Sequence, residues 1–171
     1  CHLPALDLFP LSLWARIANQ RLRGATWRLL VGCSPMGYEP LRQVLCDHLY
    51  RARGIQCAPE QVAIVSGVQE ALDCLTRLVV NPGDRVCMED PGYPGARRVF
   101  DMAGAAVTSV AVDREGMRVP ERVARARLAY VTPSHQYPMG FTLSLERRLR
   151  LLDWAWHTGT YIVEDDYDSD F

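Results

Sequence analysis

Residues 144–168, SLERRLRLLDWAWHTGTYIVEDDYD, contain a helix signal followed directly by a strand signal. Ser144 is a favoured helix N-cap, apolar residues follow it at helical spacing, and Gly159 is a typical helix stop. An apolar strand at 161–163 comes next, and residues 164–168 carry four carboxylates in five positions at its carboxyl end. The stretch therefore predicts a helix that leads directly into a strand, as in α/β folds.

The same alternation extends back through the chain. Helix signals occur at 10–23, 40–53, 67–80, 94–102 and 120–126, and apolar strand signals occur at 62–65, 85–88, 107–112 and 128–132. In the helix at 67–80, the residues expected to face the core are Ala71, Leu72, Leu75 and Leu78. Strands that alternate with helices predict an α/β fold with a mostly parallel sheet flanked by helices.

The composition excludes several classes of protein. With 171 residues, 49% hydrophobic and 23% charged, the chain is typical of a globular protein with a real core. A net charge of −1 without a basic patch gives no electrostatic footprint for nucleic acid. The apolar runs are shorter than the ~20 residues of a membrane span. The six cysteines show no metal-ligand or CxxC spacing, so reduced thiols in the cytoplasm are expected.

The tetrapeptide Ser66-Gly67-Val68-Gln69 stands where a predicted strand turns into a helix. One interpretation is a capping box, in which Ser66 is the N-cap and Gln69 reaches back to it. The other is a phosphate site, because free N–H groups and the helix dipole favour an anion there and Gly67 lets it approach. The spacing fits neither a P-loop nor a dinucleotide fingerprint.

Two further loops follow predicted strands and therefore belong to the same edge of the sheet. Residues 90–94, DPGYP, are either a plain turn or a rigid loop that offers the Tyr93 ring as a stacking platform. Residues 132–140, TPSHQYPMG, are more polar than a passive connection requires, which is typical of functional loops. His135 in that loop is expected to be a structural hydrogen-bonding residue.

The acidic residues after the last strand indicate a bound cation, because like charges this close raise one another's pKa unless a cation shares them. Asp166, Asp168 and Asp170 have the odd-position spacing of a calcium loop, but the glycine and closing glutamate of such a loop are missing. The alternative cation is a protonated heterocycle, whose ring nitrogen a carboxylate keeps protonated. We expect no metal site.

Taken together, the motifs resemble fold-type I pyridoxal-phosphate enzymes of the aspartate-aminotransferase class. They resemble more closely the aminotransferase-like domain of MocR/GabR-type regulators of the GntR superfamily. Each motif is weak alone, but their order and spacing cover nearly the whole chain. The matching segments are 8–10 with Trp14 and Arg16, then 37–42, 66–73, 82–84, 89–95, 132–140 and 164–169.

The resemblance implies pyridoxal 5′-phosphate as the cofactor and a role for each matching residue. In that scheme Gly67, Val68 and Gln69 hold the phosphate, Tyr93 stacks on the pyridine ring, Asp165 pairs with the ring nitrogen, and Tyr137 and Tyr167 lie at the ring 3-hydroxyl. Tyr137 stands where aminotransferases usually have an asparagine, which favours the regulator branch. Gly32 stands where relatives carry an aromatic residue that reaches the partner subunit's phosphate, so that contact is missing from the pattern.

The resemblance also implies that the chain is the N-terminal part of the domain only. The arm and first helices would occupy residues 1–58, and part of the large cofactor-binding domain would occupy residues 59–171. All 19 basic residues are arginine, so the chain contains no lysine. Because the family's Schiff-base lysine is absent, no catalytic residue is expected and this fragment is predicted to be inactive in transamination.

Three functions stay open on the sequence. The first is the effector-sensing part of a regulator, which would bind an amino compound through the cofactor. The intact regulator would be a homodimer and would contact DNA only through a domain outside this chain. The second function is part of a free-standing aminotransferase, and the third is a non-catalytic remnant or an acidic metal-binding module. No membrane partner is expected.

Overall fold

The computed structural model describes residues 6–24, 31, 32 and 34–168. The chain forms two compact units, residues 1–65 and residues 66–171. The domain boundary expected between residues 58 and 59 stays a prediction. Across the described ranges, no helix is long and apolar enough to cross a membrane.

The first unit contains two helices, α1 (Leu11–Arg23) and α2 (Glu39–Arg53), and short 3₁₀ turns at Leu6–Leu8 and Pro59–Gln61. Both helices match the predicted positions. The strand predicted at 62–65 was wrong, because these residues form no strand. The Ile64 N–H instead donates a hydrogen bond to the Met36 carbonyl oxygen at 3.0 Å. This apolar stretch therefore packs on a turn rather than in a sheet.

The second unit is a five-stranded sheet with three helices. The strands are β1 (Arg85–Asp90), β2 (Ala106–Asp113), β3 (Gly116–Met117), β4 (Leu128–Val131) and β5 (Tyr161–Glu164), and the helices are α3 (Val68–Val79), α4 (Pro94–Met102) and α5 (Leu145–Thr158). The strand order is β3-β2-β1-β4-β5. Every pairing is parallel except the antiparallel pair of β2 and β3. The predicted α/β fold with a mostly parallel sheet is confirmed.

The core lies on both faces of this sheet, because side chains of β1 and β4 alternate between them. On one face, strand residues such as Met88 and Tyr130 pack with Phe100 of α4. On the other face, strand residues such as Cys87 pack with Trp154 of α5. Burial raises the pKa of the Cys87 thiol to about 11, so this cysteine is an inert, protonated core residue.

Two local predictions differ from the structure. Residues 120–126 form turns rather than a helix, and the indole N–H of Trp154 donates to the Val123 carbonyl oxygen at 3.2 Å. In α3, the predicted core residue Leu78 is 83% exposed, while Leu72 and Thr76 are buried. The predicted start of α5 is confirmed, because Ser144 Oγ accepts the Arg147 N–H at 3.2 Å.

Candidate functional site

The candidate site lies at the carboxyl ends of β1, β4 and β5, which are neighbours in the sheet. Because these strands are parallel, the three loops that follow them emerge at one edge. The loops start at residues 91, 132 and 165, and the Asp165 N–H donates to the Val131 carbonyl oxygen at 2.9 Å. The structure therefore brings together the loops at 91–94 and 132–140, which the sequence placed at one edge, and the acidic residues after β5. The start of α3 follows no strand, so the strand-end argument did not apply to residues 66–69.

Glu89, near the end of β1, is the centre of the buried polar contacts at this edge. It is 2% exposed. Its carboxylate accepts the Thr132 N–H at 3.2 Å, the Thr132 hydroxyl at 2.6 Å and the Gln136 amide at 3.2 Å. Burial raises the pKa of the Glu89 carboxyl, and the bonds from Thr132 and Gln136 partly oppose that rise. Glu89 thus connects β1 to the loop after β4.

The loop at 132–140 is fixed by hydrogen bonds inside the edge. Gln136 is 1% exposed, and its side-chain amide donates to the Pro91 carbonyl oxygen at 2.9 Å. The Tyr137 N–H donates to Thr132 Oγ1 at 2.9 Å. These bonds join the loop after β4 to the loop after β1, and they set the position of the Tyr137 ring.

Tyr93 and Tyr137 meet in an edge-to-face arrangement, with ring centroids 5.6 Å apart and planes 77° apart. The Tyr93 hydroxyl accepts a hydrogen bond from the Gln69 side chain at 2.9 Å. A Cβ atom on Gly95 would lie 2.5 Å from the Tyr93 ring and 2.4 Å from the Gln69 amide nitrogen. Gly95 therefore leaves the space in which Tyr93 reaches the start of α3.

The amino end of α3 is open. Its N-cap is Gly67, with no side-chain cap, so the predicted capping box of Ser66 and Gln69 was wrong. Ser66 instead donates from its N–H and its hydroxyl to Glu70 Oε2, each at 2.6 Å. These two bonds lower the pKa of the Glu70 carboxyl. Apart from its two chain neighbours, no described residue has an atom within 4 Å of the place that a Cβ on Gly67 would occupy, which leaves room for an anion beside the helix start.

The residues after β5 make two kinds of contact. Asp165 accepts a bond of 2.5 Å from the hydroxyl of Tyr130 on β4. Tyr167 donates to the His135 carbonyl oxygen at 2.8 Å, and its ring stacks on the His135 ring at 6.1 Å. His135 Nδ1 lies 2.5 Å from Asp168 Oδ2. The expected structural role of His135 is consistent with these contacts.

The sequence assigned no individual role to four residues of this edge, namely Glu89, Tyr130, Thr132 and Gln136. A signal was present in the first two. Each is a polar side chain next to apolar residues that predict a strand, and a buried polar atom needs a partner. That requirement points to contacts between loops, although it does not identify the partners.

The acidic residues do not converge on a metal site in the described part of the chain. There, no group of three or more His, Cys, Asp or Glu side chains could hold a metal ion. Asp170, the third residue of the calcium-like spacing, lies outside the described residues.

Similarity to known proteins decides the family. The family described as aminotransferase class I and II matches residues 10–122. The chain belongs to this aminotransferase family. The predicted resemblance to fold-type I aminotransferases and MocR-type regulators is therefore confirmed.

Among curated relatives of this aminotransferase-family chain, the probable rhizopine catabolism regulatory protein MocR of Rhizobium meliloti is 40% identical over 169 residues, which are 98% of this chain and 34% of that protein. The 2-aminoadipate transaminase of Thermus thermophilus is 35% identical over 96% of this chain and 41% of its own length. The chain thus spans about a third to two fifths of these relatives.

Solved aminotransferases share the fold. Kynurenine aminotransferase of Pyrococcus horikoshii, in complex with PMP, has a TM-score of 0.86 and 29% identity over 96% of this chain and 43% of that one. LysN of Thermus thermophilus, complexed with N-(5′-phosphopyridoxyl)-L-leucine, has a TM-score of 0.83 and 35% identity over 96% of this chain and 42% of that one. Membership of this family implies pyridoxal 5′-phosphate as the cofactor.

Proposed function

We propose that residues 66–168 hold pyridoxal 5′-phosphate at the carboxyl edge of the sheet, as the effector-sensing part of a MocR/GabR-type regulator. The observation that carries the cofactor assignment is the position of Asp165. Its carboxylate lies at the edge where the Tyr93 and Tyr137 rings meet, and the buried hydroxyl of Tyr130 holds it at 2.5 Å.

The chemistry of the residues present fits the cofactor at both ends. The uncapped start of α3 offers backbone N–H groups, and the open space beside Gly67 admits a phosphate. At the other end, the Asp165 carboxylate would pair with a protonated ring nitrogen. The protonated ring withdraws electrons, which is the chemistry that the cofactor supplies when bound. The proposed contacts are Gly67, Val68 and Gln69 for the phosphate, Tyr93 for the ring face, Asp165 for the ring nitrogen, and Tyr137 and Tyr167 for the 3-hydroxyl.

Tyr167 already makes a hydrogen bond within the protein, and this bond determines whether it can donate to the cofactor or accept from it. Its hydroxyl proton is donated to the His135 carbonyl oxygen, so toward the cofactor the phenol oxygen acts as an acceptor. Burial and the charge of Asp168 raise the pKa of Tyr167. The phenol therefore stays protonated and can accept a hydrogen bond from the ring 3-hydroxyl.

The regulator assignment is supported by the identity of 40% to MocR and by regulators such as TauR of Rhodobacter capsulatus, at 38%. A free-standing aminotransferase is the second candidate, supported by the transaminase at 35% identity. In either case the amino-compound ligand, the homodimer and a cytoplasmic location are part of the proposal. DNA contact through a further domain belongs to the regulator alone, so a winged helix encoded upstream in the same reading frame would favour the regulator.

Equilibrium dialysis with pyridoxamine 5′-phosphate tests the cofactor assignment, because this ligand has no aldehyde to react with the chain's amino terminus. We expect the chain to retain the ligand and Asp165→Asn to bind about tenfold more weakly, the usual worth of a hydrogen bond to a charged group. Asp101→Asn removes an exposed carboxylate at the end of α4 and serves as the control. Absence of binding by the unaltered chain, or equal binding by Asp165→Asn, would contradict the assignment.

A further inference from the structure

Asp165 is held from inside the sheet by β4. Its N–H donates to the Val131 carbonyl oxygen at 2.9 Å, and its Oδ2 accepts the Tyr130 hydroxyl at 2.5 Å. Tyr130 is fully buried, with 0% exposure. Both the main chain and one carboxylate oxygen of Asp165 are therefore fixed by two consecutive residues of one strand.

The roles of donor and acceptor in this pair are fixed by the surroundings. Burial raises the pKa of Tyr130 well above its ordinary value, and the charges of Asp165 and Glu89 raise it further. The phenol therefore keeps its proton and donates, while Asp165 accepts. Within residues 66–168, the other carboxylate oxygen, Oδ1, accepts no hydrogen bond from the protein.

We propose that Tyr130 is a positioning residue for the cofactor ring, which holds Oδ2 of Asp165 so that Oδ1 is presented to the ring nitrogen. The proposal rests on the proposed function, in which Asp165 pairs with that nitrogen. Tyr130 acts through Asp165, because its buried side chain has no exposed surface with which to touch a ligand.

The ring and the hydroxyl of Tyr130 have separable tasks. The ring packs edge-to-face against Phe100, with centroids 6.0 Å apart, and contributes to the core. The hydroxyl points instead to Asp165. Tyr130→Phe therefore keeps the packing and removes only the group that orients the carboxylate.

Two ligands separate positioning from general structure. One is 4′-deoxypyridoxine 5′-phosphate, which lacks the aldehyde, and the other is its 1-deaza analogue, in which a CH group replaces the ring nitrogen. The ratio of their dissociation constants measures the contribution of the ring nitrogen. We expect Tyr130→Phe to lower this preference about tenfold, whereas the half-exposed Tyr161→Phe on β5 keeps it. A packing defect would weaken both ligands equally and leave the ratio unchanged.

The outcomes distinguish this proposal from the proposed function. If the unaltered chain binds neither ligand, the proposed function fails. If Asp165→Asn loses the preference and Tyr130→Phe retains it, the function stands and the role of Tyr130 is overturned. If Tyr130→Phe does not fold, the Tyr130 hydroxyl proton resonance in the unaltered chain answers the question. We expect it to shift with the pyridine ligand and not with the deaza analogue, and an equal response to both would overturn the proposal.

Discussion

The two ends of the candidate site are built differently, although both belong to the unit formed by residues 66–171. The ring-nitrogen end consists of Glu89, Tyr130, Thr132, Gln136 and Asp165. Side-chain hydrogen bonds join Glu89 to Thr132 and Gln136, and another joins Tyr130 to Asp165. All of these residues except Asp165 are buried. The phosphate end consists of residues 67–69, which are exposed and begin a helix without a side-chain cap.

Because of this difference, substitutions at the two ends should affect different properties of the protein, namely its stability and its affinity for a ligand. Buried, hydrogen-bonded groups are costly to disturb, because each lost partner leaves a polar atom without water. An exposed helix start presents N–H groups that water already satisfies. Substitutions at the ring-nitrogen end should therefore change the free energy of unfolding, whereas substitutions at the phosphate end should change ligand affinity with little effect on folding.

The largest effect is expected from Gly92→Ala, which probes the loop beside Glu89. A Cβ on Gly92 would lie 2.3 Å from the Glu89 carbonyl oxygen, and that backbone atom cannot rotate away. We expect a loss of about 3 kcal/mol in the free energy of unfolding, measured by urea denaturation followed by circular dichroism. A smaller loss of stability than that caused by Gly67→Ala would contradict the proposed difference between the two ends of the site.

The next effect concerns the pH dependence of stability at Glu89. Its pKa is raised by burial, so the folded chain keeps a proton that an unfolded glutamate, with a pKa of about 4.3, has already released. Protonated Glu89 therefore contributes fully to stability at a pH below the pKa of the unfolded chain. This contribution is lost as the pH rises through the raised pKa of the folded chain. Glu89→Gln cannot titrate, so its stability relative to the unaltered chain should improve as the pH rises through that window.

This trend is measured by urea denaturation of both proteins between about pH 4 and 8. The range starts just below the pKa of an unfolded glutamate, about 4.3. The control is Glu164→Gln, which changes an exposed carboxylate at the end of β5 and should follow the unaltered chain. A constant difference between Glu89→Gln and the unaltered chain across the range would contradict the burial of a titrating Glu89.

An intermediate effect is expected from Gly95→Ala, at the contact that joins the two ends. The added Cβ would meet the Tyr93 hydroxyl at 2.6 Å, but this side chain can rotate away. We expect loss of the Gln69–Tyr93 bond and about 1 kcal/mol of stability, with a change in the Tyr93 ring resonances in NMR. Tyr93→Phe removes the same bond without the clash and should cost a similar amount. Unchanged ring resonances would rule out the contact.

The smallest effect is expected from Gly67→Ala at the phosphate end. Its φ of 167° is extended backbone, and no described residue beyond its two chain neighbours has an atom within 4 Å of the added Cβ. We expect the free energy of unfolding to change by about 0.5 kcal/mol or less. The affinity for pyridoxamine 5′-phosphate should fall, because the methyl group occupies the space proposed for the phosphate. Unchanged affinity would contradict the proposed position of the phosphate beside Gly67.

The sequence was sufficient where one local signal dominated. Pro94 at the start of α4 and the apolar runs of β1 and β4 predicted those elements closely, because proline at a helix start and buried parallel strands have distinct patterns. The apolar stretch at 62–65 misled because an apolar run does not reveal whether a neighbouring strand is available. The helix pattern at 120–126 likewise did not reveal a distant partner, because the Trp154 indole N–H donates to the Val123 carbonyl oxygen there.

The candidate site was predictable only as far as the edge on which it lies. Tyr93, Tyr137 and Asp165 follow strands, so parallel topology alone brings them to one place. The contacts of Gln69 and Ser66 were not predictable, because the same residues suit a capping box equally well and the choice depends on Glu70 and Tyr93. For Gln69 the deciding partner, Tyr93, lies 24 residues away in the sequence.

The most direct test of the central claim is a map of backbone amide shifts in ¹H–¹⁵N NMR spectra as pyridoxamine 5′-phosphate is added to the chain. We expect the largest shifts at Val68, Gln69 and Asp165, the two ends of one site. Shifts confined to the opposite edge of the sheet, around Arg85 and Arg127, or no shifts at saturating ligand, would contradict this claim.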